Sequence, residues 1–239
     1  MNFNHCWKLR DWIHIDHLNW NILSENPRAM YLLESNPDKI YWENLSKNPS
    51  AIHLLVNNRN KINWKKLSEN PSAIHLLENN RDKINWWCLS ENPSAIHLLQ
   101  QNIEKIDWTC LSCNSSAIHL LEENHDKISW SHLSANPSAI HLLKANPDKI
   151  YLDNLSQNPS AMHLLENNRD KINWCSLSSN PSAIHILEEN RNKIRWYALS
   201  RNPSIFELDL DFFHKRMNII REELMEKAWH PNRFQDWCI

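Results

Sequence analysis

Seven histidines recur at intervals of 22 residues: His53, His75, His97, His119, His141, His163 and His185. Such a row suggests either hydrogen-bond donors along one face or a ladder of metal ligands. The metal version fails on distance. Stacked helices lie about 8–10 Å apart, whereas ligands sit about 2.0–2.3 Å from one Zn²⁺. We therefore expect a structural histidine in each unit, bonded to a backbone group of the adjoining unit.

A second set is Cys88, Cys110, Cys113 and His132. Cys110 and Cys113 make a C-x-x-C, and Cys88, Cys110 and His132 share one register. The string suggests zinc or redox work. Cys88 and His132 are nevertheless two units apart, roughly 16–20 Å in a stack. A C-x-x-C outside a βαβ context carries little weight. No metal and no cofactor is expected.

A third set is a lysine column: Lys39, Lys61, Lys83, Lys105, Lys127, Lys149, Lys171 and Lys193. A basic stripe can follow a phosphate backbone. Most of these lysines follow an acid directly, as Asp82 precedes Lys83, so the stripe reads as a solvated, largely neutralised edge. No nucleic-acid partner is expected. A fourth set varies from unit to unit. It contains Tyr41, Tyr151 and Arg195 in one register, and Trp87 and Tyr197 two residues further along in theirs. Exposed aromatics and arginine are what binding hot spots are made of. These five are the candidate partner-binding residues.

These residues are positioned by one repeated sentence. Residues 70–91 read NPSAIHLLENNRDKINWWCLSE, and copies begin at Asn26, Asn48, Asn92, Asn114, Asn136, Asn158 and Asn180, with a broken copy at Asn202. Numbering the leading Asn as place one, that Asn caps a helix and Pro at place two suits the first helical position. Ala, Ile, Leu and Leu at places four, five, seven and eight form an apolar face. Asn at place eleven is the expected left-handed stop. Lys-Ile then reads as extended, place sixteen as a cap (Asn63, Asn85, Asp107, Ser129, Asn173), and Trp-x-x-Leu as a second short helix. The Trp column (Trp20, Trp42, Trp64, Trp86, Trp108, Trp130, Leu152, Trp174, Trp196) is expected to be buried.

A fixed period of this kind signals a repeat array in which each unit covers its neighbour. The expected fold is all-α: an α-solenoid of about eight two-helix repeats with N- and C-terminal caps, drawn out as a rod. Residues 1–25 form an N-terminal cap ending in a half unit, 26–201 the repeats and 202–239 a C-terminal helical cap. In that last segment Phe213, Met217, Ile220, Leu224 and Ala228 mark an amphipathic helix, with Asp209 or Asp211 as its cap. Phe234 and Trp237 suggest a short return helix.

Composition agrees. The chain has 239 residues, 41% of them hydrophobic, and a net charge of −2. That charge gives no long-range attraction for nucleic acid or anionic membrane. There is no glycine, which excludes the glycine-rich nucleotide motifs. No stretch approaches the roughly 18 apolar residues of a membrane span. The six scattered cysteines read as reduced thiols of an intracellular protein.

NPSAIHLLENNRDKINW resembles an abundant repeat in uncharacterised proteins of the giant, nucleocytoplasmic large DNA viruses. The ending EELMEKAWHPNRFQDW and the leader KLRDWIHIDHLNW are similar to the same proteins. The resemblance implies a viral protein made in the host cytoplasm and brings no established activity. The expected function is a non-enzymatic scaffold that binds a protein partner. The alternative is a modular reader of single-stranded nucleic acid.

Overall fold

The computed structural model describes residues 6–166 and 169–228. The protein is an all-α solenoid of short helices with one small two-stranded sheet. The expected return helix at Phe234 and Trp237 lies outside the described residues.

One unit shows why this sequence folds as it does. Asn70 accepts the Ser72 N–H at 2.9 Å and so caps a 3-10 turn, Pro71–Ala73. The turn leads directly into the first helix, Ile74–Glu78. Asn80 follows with φ −140°. It is not left-handed, as the sequence suggested; its side-chain amide instead donates to the Leu76 carbonyl at 2.8 Å, closing the helix end. No described residue has positive φ, so a chain without glycine meets no steric obstacle here. A second 3-10 turn, Arg81–Lys83, precedes extended Ile84. Asn85 then accepts the Cys88 N–H at 2.9 Å and starts the second helix, Trp86–Glu91.

Ala73, Leu77 and Leu89 are fully buried, as are their equivalents along the array. Between these apolar layers runs a buried polar spine. The Asn70 amide donates to Asn48 O, which opens the preceding unit, and to Ser46 O just before it, at 2.9 and 3.0 Å. The Ser68 hydroxyl donates to Trp64 O and accepts the Asn85 N–H at 3.0 Å. Every unit repeats this arrangement, so buried polar groups are satisfied across each joint. The Ser contact also explains why Tyr41, Tyr151 and Arg195 stand at the cap place without capping. Their backbone N–H groups still donate to Ser24, Ser134 and Ser178.

The array does not end as a rod. Asn26, the first of the series, donates to Ser200 O at 3.2 Å and Asn202 O at 3.1 Å. These are the bonds each later Asn makes to the unit before it. The Asn19 N–H donates to the Ser200 hydroxyl at 2.8 Å, completing the serine series. Nine asparagines from Asn26 to Asn202 therefore form a closed circuit. The ninth unit is split. Its start is Asn202–Ile205 and its finish is Ile15–Leu23, contributed by opposite ends of the chain.

Strands β1 (Trp7–Leu9) and β2 (Phe206–Leu208) pair antiparallel beside this seam. Arg10 donates to Ser204 O and pairs with Glu207 at 3.3 Å. Arg201 holds buried Glu25 at 2.9 Å. The Arg28 guanidinium lies 4.1 Å from the Trp7 ring centroid. The two breaks in the histidine row are accounted for here as well: Tyr31 packs edge-on to Phe206, and Glu207 is taken up by Lys8 and Arg10. Asp209 caps the final helix, Leu210–Ala228, accepting the Phe212 N–H at 3.0 Å.

Candidate functional site

The second helices of successive units pack on one another, as do the 3-10 turns at the unit starts. The side chains at place twenty-two converge. Lys47 meets Glu69 at 2.6 Å. Burial lowers the Lys47 pKa, but Glu69, Glu91 and Glu25 more than offset this and hold it above its ordinary value. Burial likewise raises that of Glu69, and Lys47 outweighs it, leaving the carboxyl below its ordinary value. Cys113, three units on, also feels the Lys47 charge. Three steps of a straight stack would separate the two by about 25 Å. The charges at place twenty-two therefore act on one another across several units.

The tryptophans are half-buried rather than buried, because each has one ring face open to the next unit. That face is covered by a lysine. Lys39 lies over Trp20, Lys61 over Trp42, Lys83 over Trp64, Lys105 over Trp86, Lys127 over Trp108, Lys149 over Trp130 and Lys193 over Trp174, at 4.2–4.6 Å from the ring centroids. The lysine edge is exposed, as expected, and is also a cation–π ladder. Leu152 interrupts it, leaving Lys171 no ring to cover. At the seam His17 takes the lysine's place, 4.6 Å from Trp196.

The histidine row is exposed and pairs with side chains rather than backbone. His53 meets Glu34 at 3.0 Å, His97 meets Glu78 at 3.0 Å and His141 meets Glu122 at 2.9 Å. His119 meets Gln100 at 3.3 Å. Each partner stands at place nine of the preceding unit. Where place nine is Val56 the row has no carboxylate for His75.

Among the described residues the cysteines do not assemble into a metal site. Cys88, Cys110 and Cys113 are each pushed up to about 12, first by burial, then by Glu69, by Asp107 and Glu91, and by Glu91 respectively. At neutral pH they are thiols, poor as nucleophiles and as metal ligands. Cys113 reaches the His132 backbone carbonyl, while the His132 ring bonds Ser129.

The varying aromatics are open to solvent: Tyr41 50%, Trp87 52%, Tyr151 53% and Tyr197 61% exposed. Arg195 is exposed beside Tyr197. All five lie at the starts of second helices. They are not brought together. Trp87 and Tyr197 are five units apart one way and four the other, nearly opposite across the circuit, and so are Tyr41 and Tyr151.

One family model matches, that of NosD, a periplasmic copper-binding protein, over residues 11–184. The match spans well over half of the chain. By that extent the chain belongs to the NosD family. No curated protein and no solved structure matches it. Copper and the periplasm are said of NosD and do not come to this chain with the match. Among the described residues no group of three His, Cys, Asp or Glu side chains could hold a metal ion. Cys88, Cys110 and Cys113 stay protonated and the seven histidines of the row stand one to a unit, so the described residues do not fit copper. The stretch matched to NosD is mostly the repeat array itself.

Two features escaped the sequence reading although each left a signal. Asn202-Pro203-Ser204 at one end and His17–Ser24 at the other are complementary halves of one unit, which is the mark of closure. Lysine and tryptophan recur together in nearly every unit, which is the mark of stacking, but the stacked pair lies 19 residues apart and not within one unit.

Proposed function

We propose that the chain is a non-enzymatic scaffold for protein–protein interaction, an adaptor of viral origin that acts on host or viral proteins in the host cytoplasm. One observation carries this reading: exposed aromatics stand at varying places on a frame whose constant places are spent on packing. Large aromatic side chains are covered at little entropic cost and dominate interface energetics. The protonated thiols of Cys88, Cys110 and Cys113, and the carboxylates held by His53, His97 and His141, support a chain without a catalytic nucleophile.

Pull-down with Trp87→Ala plus Tyr197→Ala tests this, with Lys171→Glu as the control, since Lys171 covers no ring. The aromatic pair is expected to abolish partner recovery and the control to retain it. Unchanged recovery from a folded aromatic variant rejects this face. The nucleic-acid reader finds less support, because most of the column's ammonium groups already lie on tryptophan rings. We expect no binding of single-stranded DNA or RNA at physiological salt by fluorescence anisotropy.

A further inference from the structure

A groove of about 170 Å³ crosses three consecutive units on the aromatic face. Gln157, Cys175, Ser176, Ser179, Tyr197, Ala198 and Arg201 line it. It exists because the sequence is small there. Ser176 and Ala198 stand where other units carry Lys66, Cys88 or His132. Ser179 stands where they carry Lys47, Glu69 or Glu91. The groove runs from the place-twenty-two side chains of three units to exposed Tyr197. Its volume is below the roughly 300–1,000 Å³ of small-molecule sites and suits a side chain.

The Arg201 Nε donates to Glu25, whose side chain is 5% exposed and lies behind the groove. The Arg201 Nη groups make no hydrogen bond among the described residues. The Ser179 hydroxyl donates to Ser176 O at 2.8 Å and keeps its lone pairs. The Gln157 amide and the Tyr197 phenol are exposed and supply further donors. Exposed Arg195 stands two residues before Tyr197. No carboxylate lines the groove. A guanidinium with an unused edge, beside amide and phenol donors, matches a carboxylate. Across the circuit Trp87 is likewise accompanied by cations: Lys65 lies 5.4 Å from its ring, and Lys66 follows in the same helix.

We infer that this groove receives an acidic side chain of a peptide segment in the partner protein, with Tyr197 covering the adjoining apolar residue. The inference rests on the scaffold reading and gives it a chemistry. The test uses the full chain and a fluorescein-labelled peptide of glutamates around one central leucine. A second peptide with every glutamate replaced by glutamine, and an oligothymidylate of equal charge, complete the set.

The glutamate peptide is expected to bind at least tenfold more tightly than the glutamine peptide. Ser179→Trp, which fills the groove without touching the Glu25 pair, is expected to remove that difference, and Arg201→Gln to reduce it. Equal affinity for the two peptides overturns the inference, as does a glutamate preference that survives Ser179→Trp. Preferential binding of the oligothymidylate overturns it too and points to the nucleic-acid reader. If the peptide preference fails while pull-down still depends on Trp87 and Tyr197, the acidic groove falls and the scaffold stands.

Discussion

The tryptophan column shows how one residue does two jobs. One face of Trp108 packs on the core and the other receives Lys127 at 4.4 Å. Trp108→Ala removes both contacts. We predict a loss of about 2–4 kcal/mol, at or below the usual range for a fully buried aromatic. Lys127→Gln removes the cation alone, about 0.5–1 kcal/mol. A double-mutant cycle by urea unfolding is expected to recover that coupling, and additive losses would exclude the stacking. Trp87, its neighbour in type but not in setting, is half exposed; Trp87→Ala is expected to cost under about 1 kcal/mol. The Asn spine is the stricter position. Asn92 donates to Ser68 O and Asn70 O and accepts from Ser94 N–H, at 2.9–3.0 Å, with no exposure. Asn92→Ala removes both hydrogen bonds across the joint and the cap of its own turn, leaving the Asn70 carbonyl only the Ala73 N–H. The predicted cost is about 2–4 kcal/mol by thermal unfolding, and a melt like that of the parent would contradict it.

At the scale of the element, the unit was legible wherever a side chain serves its own turn. Asn-Pro starts, the Ala and Leu core places and the Asn or Asp caps are local signals, and each appears where its spacing put it. What was not legible is whatever reaches across a joint. Lysine covers the tryptophan of the unit before, glutamate meets the histidine of the unit after, and serine holds the next unit's backbone. A sequence gives the distance along the chain but not the sense of stacking. The Lys47–Glu69 contact is of this kind, and it has a pH signature. Glu69 has a folded-state pKa below its unfolded value, so its stabilisation is fully present above the unfolded-state value and is lost as pH falls through the folded one. We predict that Glu69→Gln lowers the melting temperature at pH 7, and that the gap to the parent closes below about pH 4. A gap that stays constant down to pH 3 would show that the pair does not act through charge.

At the scale of the molecule, closure changes what a repeat contributes. In an open solenoid the loss of one unit removes one unit's stability and one interface, and the remainder stacks as before. In a closed array of nine steps every joint has a curvature that the others must share. Deleting residues 92–113 joins register to register and leaves each remaining local sequence intact. The shortened circuit must then tighten all its joints or open at its weakest one. The seam is that joint, because its halves come from opposite ends of the chain and no peptide bond links Ser24 to the unit it completes. Opening there exposes Ile205 and Phe206, both buried in the parent, and breaks the Asn26, Asn19 and Arg10 hydrogen bonds together. We predict that the deletion loses hydrogen-exchange protection at the Arg10 and Asn19 amides while Asn85 and Tyr151, far from the seam, stay protected. Its melting temperature is expected to fall well beyond the loss from an equivalent deletion in an open array. Retained protection at Arg10 and Asn19, with a melt scaled only to the missing unit, would mean that the ends touch without the closure bearing on stability.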